Sequence, residues 1–206
     1  MAEIEIGRLL RAGITGCVVG CRVSQLNVPA FGDLVRIPLA DGTQVFGLIH
    51  NIAIDDDGLV RQLVTAEGLS AEVIEDNRVN RNVPVEVSVL FVGCEQGGQV
   101  SHLLPPRPPL TLDAIYPCSA AELCRFTSAG RFGYFRHVLR AAGEIPIGEL
   151  LAAHIETTAR AQKIAGNNQW LYDASQEIIT LLRDDYATLG SVLGALADCK
   201  IDENNA

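Results

Sequence analysis

With 206 residues, of which 48% are hydrophobic and 20% charged, the chain has room for one large domain or two small ones and an ordinary globular composition. Its formal net charge of −9 argues against non-specific binding of DNA or RNA, which calls for a basic surface. No apolar run approaches the roughly 18 residues of a membrane span, and "MAEIEIGRLL" lacks the basic and apolar regions of a secretory signal, so the expected compartment is the cytoplasm.

Residues 14–104 read as short strands separated by turn chemistry, beginning with "ITGCVVGCRV". "DLVRIPL" and "TQVFGLIHNIAI" are joined by Ala40-Asp41-Gly42, and Asp-Gly favours a tight hairpin because its turn positions take positive φ. In the second of these strands Phe46, Leu48, His50, Ile52 and Ile54 share one face, while Val45, Ile49 and Asn51 share the other. Both faces begin apolar, which predicts a strand inside a barrel or under a covering element. Asp57-Gly58 repeats the hairpin device in "IAIDDDGLVRQLV", and Gly97-Gly98 repeats it in "VSVLFVGCEQGGQVSHLL". Between them a short helix is expected near Ser70–Asp76. Several short antiparallel strands with glycine-rich corners predict a closed barrel.

"LLPPRPPL" follows. Pro105, Pro106, Pro108 and Pro109 surround Arg107, and a segment so poor in amide donors adopts an extended polyproline conformation. It reads as a stiff strap between two units or as an SH3-type ligand. Beyond it the hydrophobic period becomes helical. Ser119 and Glu122 form a capping-box signature, "FGYFRHVLRAA" reads as a separate short helix, and Leu150, Leu151, Ile155 and Thr158 mark a helix from Ile147 to Ile164. "AGNN" closes it, and a final helix from near Asn168 carries Leu171, Ala174, Ile178, Leu182, Leu189, Val192 and Leu196 on its buried side. So short a connection predicts a long antiparallel helix hairpin. Gly190 and Gly194 either let another helix approach closely or end this one early. The expected architecture is α+β with two domains: a barrel over residues 1–104, a proline-rich strap over 105–110 and a helical domain over 111–206.

The residue patterns of common catalysts are missing. A phosphate-binding loop needs GxxxxGK[ST], yet Lys163 and Lys200 are the chain's only lysines and neither follows such glycines. His50, His102, His137 and His154 fall on different elements, with no Glu-x-x-His pair and no Gly-x-Ser-x-Gly elbow. "AIDDDG" fails as a calcium loop because Ala53 and Val64 occupy its first and twelfth positions. The six cysteines match no zinc-ribbon spacing and read as reduced thiols. No catalytic residue, cofactor or metal ligand is expected.

One cluster stands apart. In "RFTSAGRFGYFRHVLR", Arg125, Arg131, Arg136 and Arg140 alternate with Phe126, Phe132, Tyr134 and Phe135. Guanidinium forks beside aromatic rings suit phosphate, nucleotide or single-stranded nucleic acid, and equally an acidic protein surface, including the chain's own barrel. Arg125, Arg131, Tyr134, Arg136 and Arg140 are the candidate contacts for a partner or an anion.

Gly16, "FGDLVRI", "VFGLIHNI", "PVEVSVLFVG" and "LLPPRPPL" together resemble the HAS-barrel family, the β-barrel shared by HerA-type ATPases and the heads of rotary ATP synthases. The likeness spans roughly residues 7–110. In those ATPases, the resemblance implies, the barrel serves ring assembly and partner docking while the ATPase core lies C-terminal to it. Here a helical segment stands in that place, so fold transfers and ATP hydrolysis does not. The reading that follows is a non-catalytic assembly or adaptor protein, self-associating and docking a protein partner such as a separate ATPase. The alternative is a nucleotide- or nucleic-acid-binding module built on residues 125–140.

Overall fold

Alternating β-branched residues need an apolar face to bury, and in this chain six strands bury it against one another. A computed structural model describes residues 4–22, 29–54, 58–66, 68–79 and 84–199. Its strands are β1 (Gly7–Ala12), β2 (Gly16–Cys21), β3 (Leu34–Pro38), β4 (Gln44–Ala53), β5 (Val85–Gln96), β6 (Gln99–Ser101) and β7 (Ala114–Pro117). The sheet runs β2-β1-β7-β3-β4-β5-β6, and β2 also pairs with β5, which closes a six-stranded antiparallel barrel with β6 as a hairpin extension of β5. Val19, Val35, Ile37, Val45, Ile49 and Phe91 fill its interior, each within 1% of complete burial.

The expected hairpins at Asp41-Gly42 and Gly97-Gly98 are present, with Pro38 opposite Gln44 and Gln96 opposite Gln99. The hairpin expected at Asp57-Gly58 is not. Gly58, at φ 76°, instead precedes a helix, α1 (Leu59–Thr65), and Asp55 to Asp57 lie outside the described residues. β4 already pairs with β3 on one edge and β5 on the other, so no edge is left for a returning strand. The short helix forms as α2 (Ala71–Val79).

β1 and β7 were not foreseen. Both are short, six and four residues, so neither shows a long apolar alternation. β7 pairs with β1 and β3, which brings residues from beyond the proline segment into the barrel; the division at 104 and 111 therefore runs through it. The proline segment connects β6 to β7, with Pro105 and Pro109 buried and Pro106 to Pro108 exposed.

The remaining helices are α3 (Ala120–Ser128), α4 (Phe135–Arg140), α5 (Ile147–Ile164), α6 (Trp170–Leu181) and α7 (Tyr186–Ala197). Ser119 and Glu122 make the expected capping box on α3, and α5 has the bounds its apolar stripe predicts. The long final helix is broken into α6 and α7 at residues 182–185. Asp185 is the reason: its carboxylate accepts the Thr188 amide at 3.0 Å and the Thr188 hydroxyl at 2.6 Å, so the chain starts a new helix there rather than continuing the old one.

These helices cover the outer face of the barrel. Leu34, Phe46, Leu48 and Val92 form one side of a second core, and Phe126, Tyr134, Phe135, Leu150, Ile155 and Trp170 belong to the other. β4 is thus buried on both faces, Val45 and Ile49 toward the interior and Phe46 and Leu48 toward the helices. No helix among the described residues is long and apolar enough to cross a membrane.

Candidate functional site

Residues 125–140 join the helices to the barrel, and the four arginines go to separate environments. Arg125, in the last turn of α3, places Nη2 2.8 Å from the Glu95 carboxylate at the end of β5. Arg131 sits in a 3-10 turn at φ 49°, a left-handed conformation unusual for a residue with a Cβ, and is exposed. Arg136 turns inward and donates to the His102 carbonyl. Arg140 is exposed at the end of α4, on the rim of a groove described below. Tyr134, proposed from the sequence as a contact residue, is fully buried and belongs to the core. An aromatic ring at that point of the pattern faces the barrel because the turn at 130–132 redirects the chain between α3 and α4.

Around Tyr134 lies a buried polar network that the sequence reading left unconnected. The Tyr134 hydroxyl is 3.2 Å from His154 Nε2, and His154 Nδ1 is 3.2 Å from the Gly32 carbonyl. A carbonyl only accepts, so Nδ1 carries the proton and Nε2 accepts from tyrosine. Burial lowers the His154 pKa to about 4 and pushes the Tyr134 hydroxyl well above its ordinary range. Gly32 is required here: it lies at φ 87°, and a Cβ would sit 2.7 Å from that of Ala153 and 2.9 Å from the His154 amide nitrogen. The glycine of "FGDLVRI" is therefore the point where α5 presses against the barrel.

A second set of buried hydrogen bonds closes the end of α3. Helix termini leave carbonyls without intrahelical partners. Here Gln162 Nε2 donates to Cys124 O at 3.1 Å, Trp170 Nε1 to Thr127 O at 3.2 Å and His102 Nε2 to Phe126 O at 3.1 Å. His137 Nε2 in turn donates to His102 O at 2.8 Å. Burial holds both His102 and His137 below the usual imidazole value. The available signal was the placement of Thr158 and Gln162 along an otherwise apolar stripe, four residues apart on α5.

The groove opens where the α4–α5 connection, residues 141–146, crosses the barrel. One lobe holds about 500 Å³ and is lined by residues that include Thr15, His50, Ser88, Leu90 and Glu144. His50 is half-buried; desolvation lowers its pKa, and the charge of Glu144 acts against that shift. Among the described residues His50 makes no hydrogen bond to Thr15 or Ser88, so a nucleophile–base pair is not assembled. Nor do the described residues contain a group of three or more His, Cys, Asp or Glu arranged to hold a metal ion. The six cysteines are free, and burial raises the Cys17 thiol to about 12.

A different kind of surface appears on α7. The sequence YATLGSVLGALA has no charged side chain in twelve residues. Val192 is buried, and Ser191 packs where a Cβ on Gly148 of α5 would come within 3.1 Å of its Oγ. The opposite side presents Tyr186, Gly190, Leu193, Gly194 and Ala197 at successive helical turns, all exposed; Tyr186 is 81% exposed and Leu193 40%.

No protein-family model matches the chain, and no curated protein matches it.

Proposed function

We propose that this protein is a non-catalytic assembly or adaptor protein, with a HAS-like barrel as its platform and the helical half as its docking module. The observation that carries the reading is the outer face of α7. A surface helix of a globular protein ordinarily turns charged and polar residues to water, and this one turns tyrosine, leucine, alanine and two glycines. Apolar patches of that kind mark interaction sites. The barrel's role is drawn from the resemblance of its strands to those that head ring ATPases; the 206 residues themselves contain no phosphate-binding loop. The reading as a nucleotide- or nucleic-acid-binding module needs the arginines of residues 125–140 to converge, and their separate environments give it no support.

Cross-linking mass spectrometry on native lysate, with the wild-type chain and Leu193→Asp as parallel baits, tests the reading. Cross-links from α7 that vanish in the variant are the expected result, with no ATP turnover in the purified protein. Turnover that survives repurification and disappears with a substitution at His50 or Glu144, without any α7-dependent partner, would overturn it.

A further inference from the structure

The apolar face of α7 has the properties of a surface made for a copy of itself, and we infer that two chains pack their α7 helices antiparallel, crossing at Gly190. The inference rests on the docking reading of this same face and names its occupant.

The relief of the face points to a second copy. It carries both protrusions and hollows. Tyr186 and Leu193 project, while a Cβ built on Gly190 or Gly194 would have no other atom within 4 Å. An isologous interface requires such self-complementarity, because each residue meets its counterpart's partner across a two-fold axis. With the axis at Gly190, Tyr186 of one chain lies over the open Gly194 of the other, and the helices meet where neither has a side chain. Small residues at a crossing point allow close backbone approach.

The charges at the helix ends select the direction. Arg183 precedes α7 and Asp198 follows it, and both are exposed, Arg183 by 74%. Antiparallel packing about Gly190 brings Arg183 of one chain to Asp198 of the other, at both ends of the interface. Parallel packing would set Arg183 beside Arg183 and the acidic pair Asp184 and Asp185 beside its copy. Arg183 already lies 3.2 Å from Asp184 within its own chain, a pair so exposed that it leaves the guanidinium free to turn. The acidic flanks also argue against a lipid surface, since interfacial helices carry Lys and Arg around their apolar face.

Sedimentation velocity on the full chain over a wide concentration range tests the inference. A dimer that dissociates on dilution is expected. Gly190→Gln should leave a monomer with an unchanged or raised melting temperature, because the added side chain enters open space and improves helix propensity. Arg183→Glu should weaken the dimer, and adding Asp198→Arg to it should restore it. A wild-type monomer at every concentration, or a dimer indifferent to Gly190→Gln, would overturn the inference. A monomer that still captures another protein through α7 would leave the docking reading intact, whereas a chain with no α7-dependent contact would remove both.

Discussion

The two cores of the molecule are built on different terms. The barrel interior is almost wholly aliphatic: Val, Ile and Leu, one phenylalanine and two thiols. The core between barrel and helices contains tyrosine, tryptophan and three buried histidines, and their hydrogen bonds satisfy the end of α3 and the turn at Gly32. Apolar burial has no preferred direction, so the side chains of the first core have no donor–acceptor geometry to keep. The second has to keep each donor opposite its acceptor, since a buried polar group left without a partner costs about 1–3 kcal/mol. It is the core that fixes where the helical half sits on the barrel.

The hardest break is in the chain itself. A fragment ending at Leu110 lacks β7 and exposes the edges of β1 and β3, as well as losing the helical cover of Phe46 and Leu48. It is expected to show no cooperative thermal transition by circular dichroism. A sharp melt from that fragment would make the barrel an independent unit.

Next in size is Phe126→Ala. This ring is fully buried and lies 4.7 Å, centroid to centroid, from Phe46 of the barrel. Its loss should destabilise the protein by about 3–5 kcal/mol in denaturant unfolding. A value near zero would mean that the helices contribute little to the barrel's stability.

Acid separates the two cores more gently. Folded His154 holds its proton off until about pH 4, while an unfolded histidine protonates near 6.5. Between those values the unfolded chain binds the proton that the folded chain excludes, so stability falls as pH drops from about 6.5 to 4. His154 contributes about 3 kcal/mol to that loss, and His102 and His137, shifted in the same direction, add to it. The slope should flatten in His154→Gln, and a wild-type slope unchanged by that substitution would place the titration elsewhere.

The smallest effect is expected at the seam between the cores. A Cβ on Gly93 of β5 would stand 2.5 Å from the Ser101 carbonyl and 2.9 Å from Phe126 Cε2. Gly93→Ala should cost about 1–3 kcal/mol through displacement of strand or ring. A neutral substitution would show that α3 can move on the barrel.

The same contrast explains what could be read from the sequence. The barrel interior announces itself through period-two alternation and Asp-Gly or Gly-Gly corners, so β3, β4, β5 and their turns are legible. β7 is not, because four residues between a proline segment and a capping box carry no period of their own. Helices α3 and α5 follow from a capping box and an apolar stripe. The break before α7 rests on one side chain, Asp185, whose capping role emerges only with Thr188 in place. The histidine network was out of reach because its members lie on elements far apart in the chain; Gly32 and His154 are 122 residues apart. The arginine cluster was visible as a pattern, but whether its members converge depends on the turn at residues 130–132.

Melting and sizing two variants side by side tests whether the inner side of the last two helices is core and the outer side a docking surface. Leu182 is 6% exposed and Leu193 is 40% exposed. Leu182→Asp should lower the melting temperature sharply, whereas Leu193→Asp should melt close to wild type and lose the assembly. If Leu193→Asp unfolds the protein as Leu182→Asp does, or leaves its assembled mass unchanged, the outer face of α7 is not a docking surface.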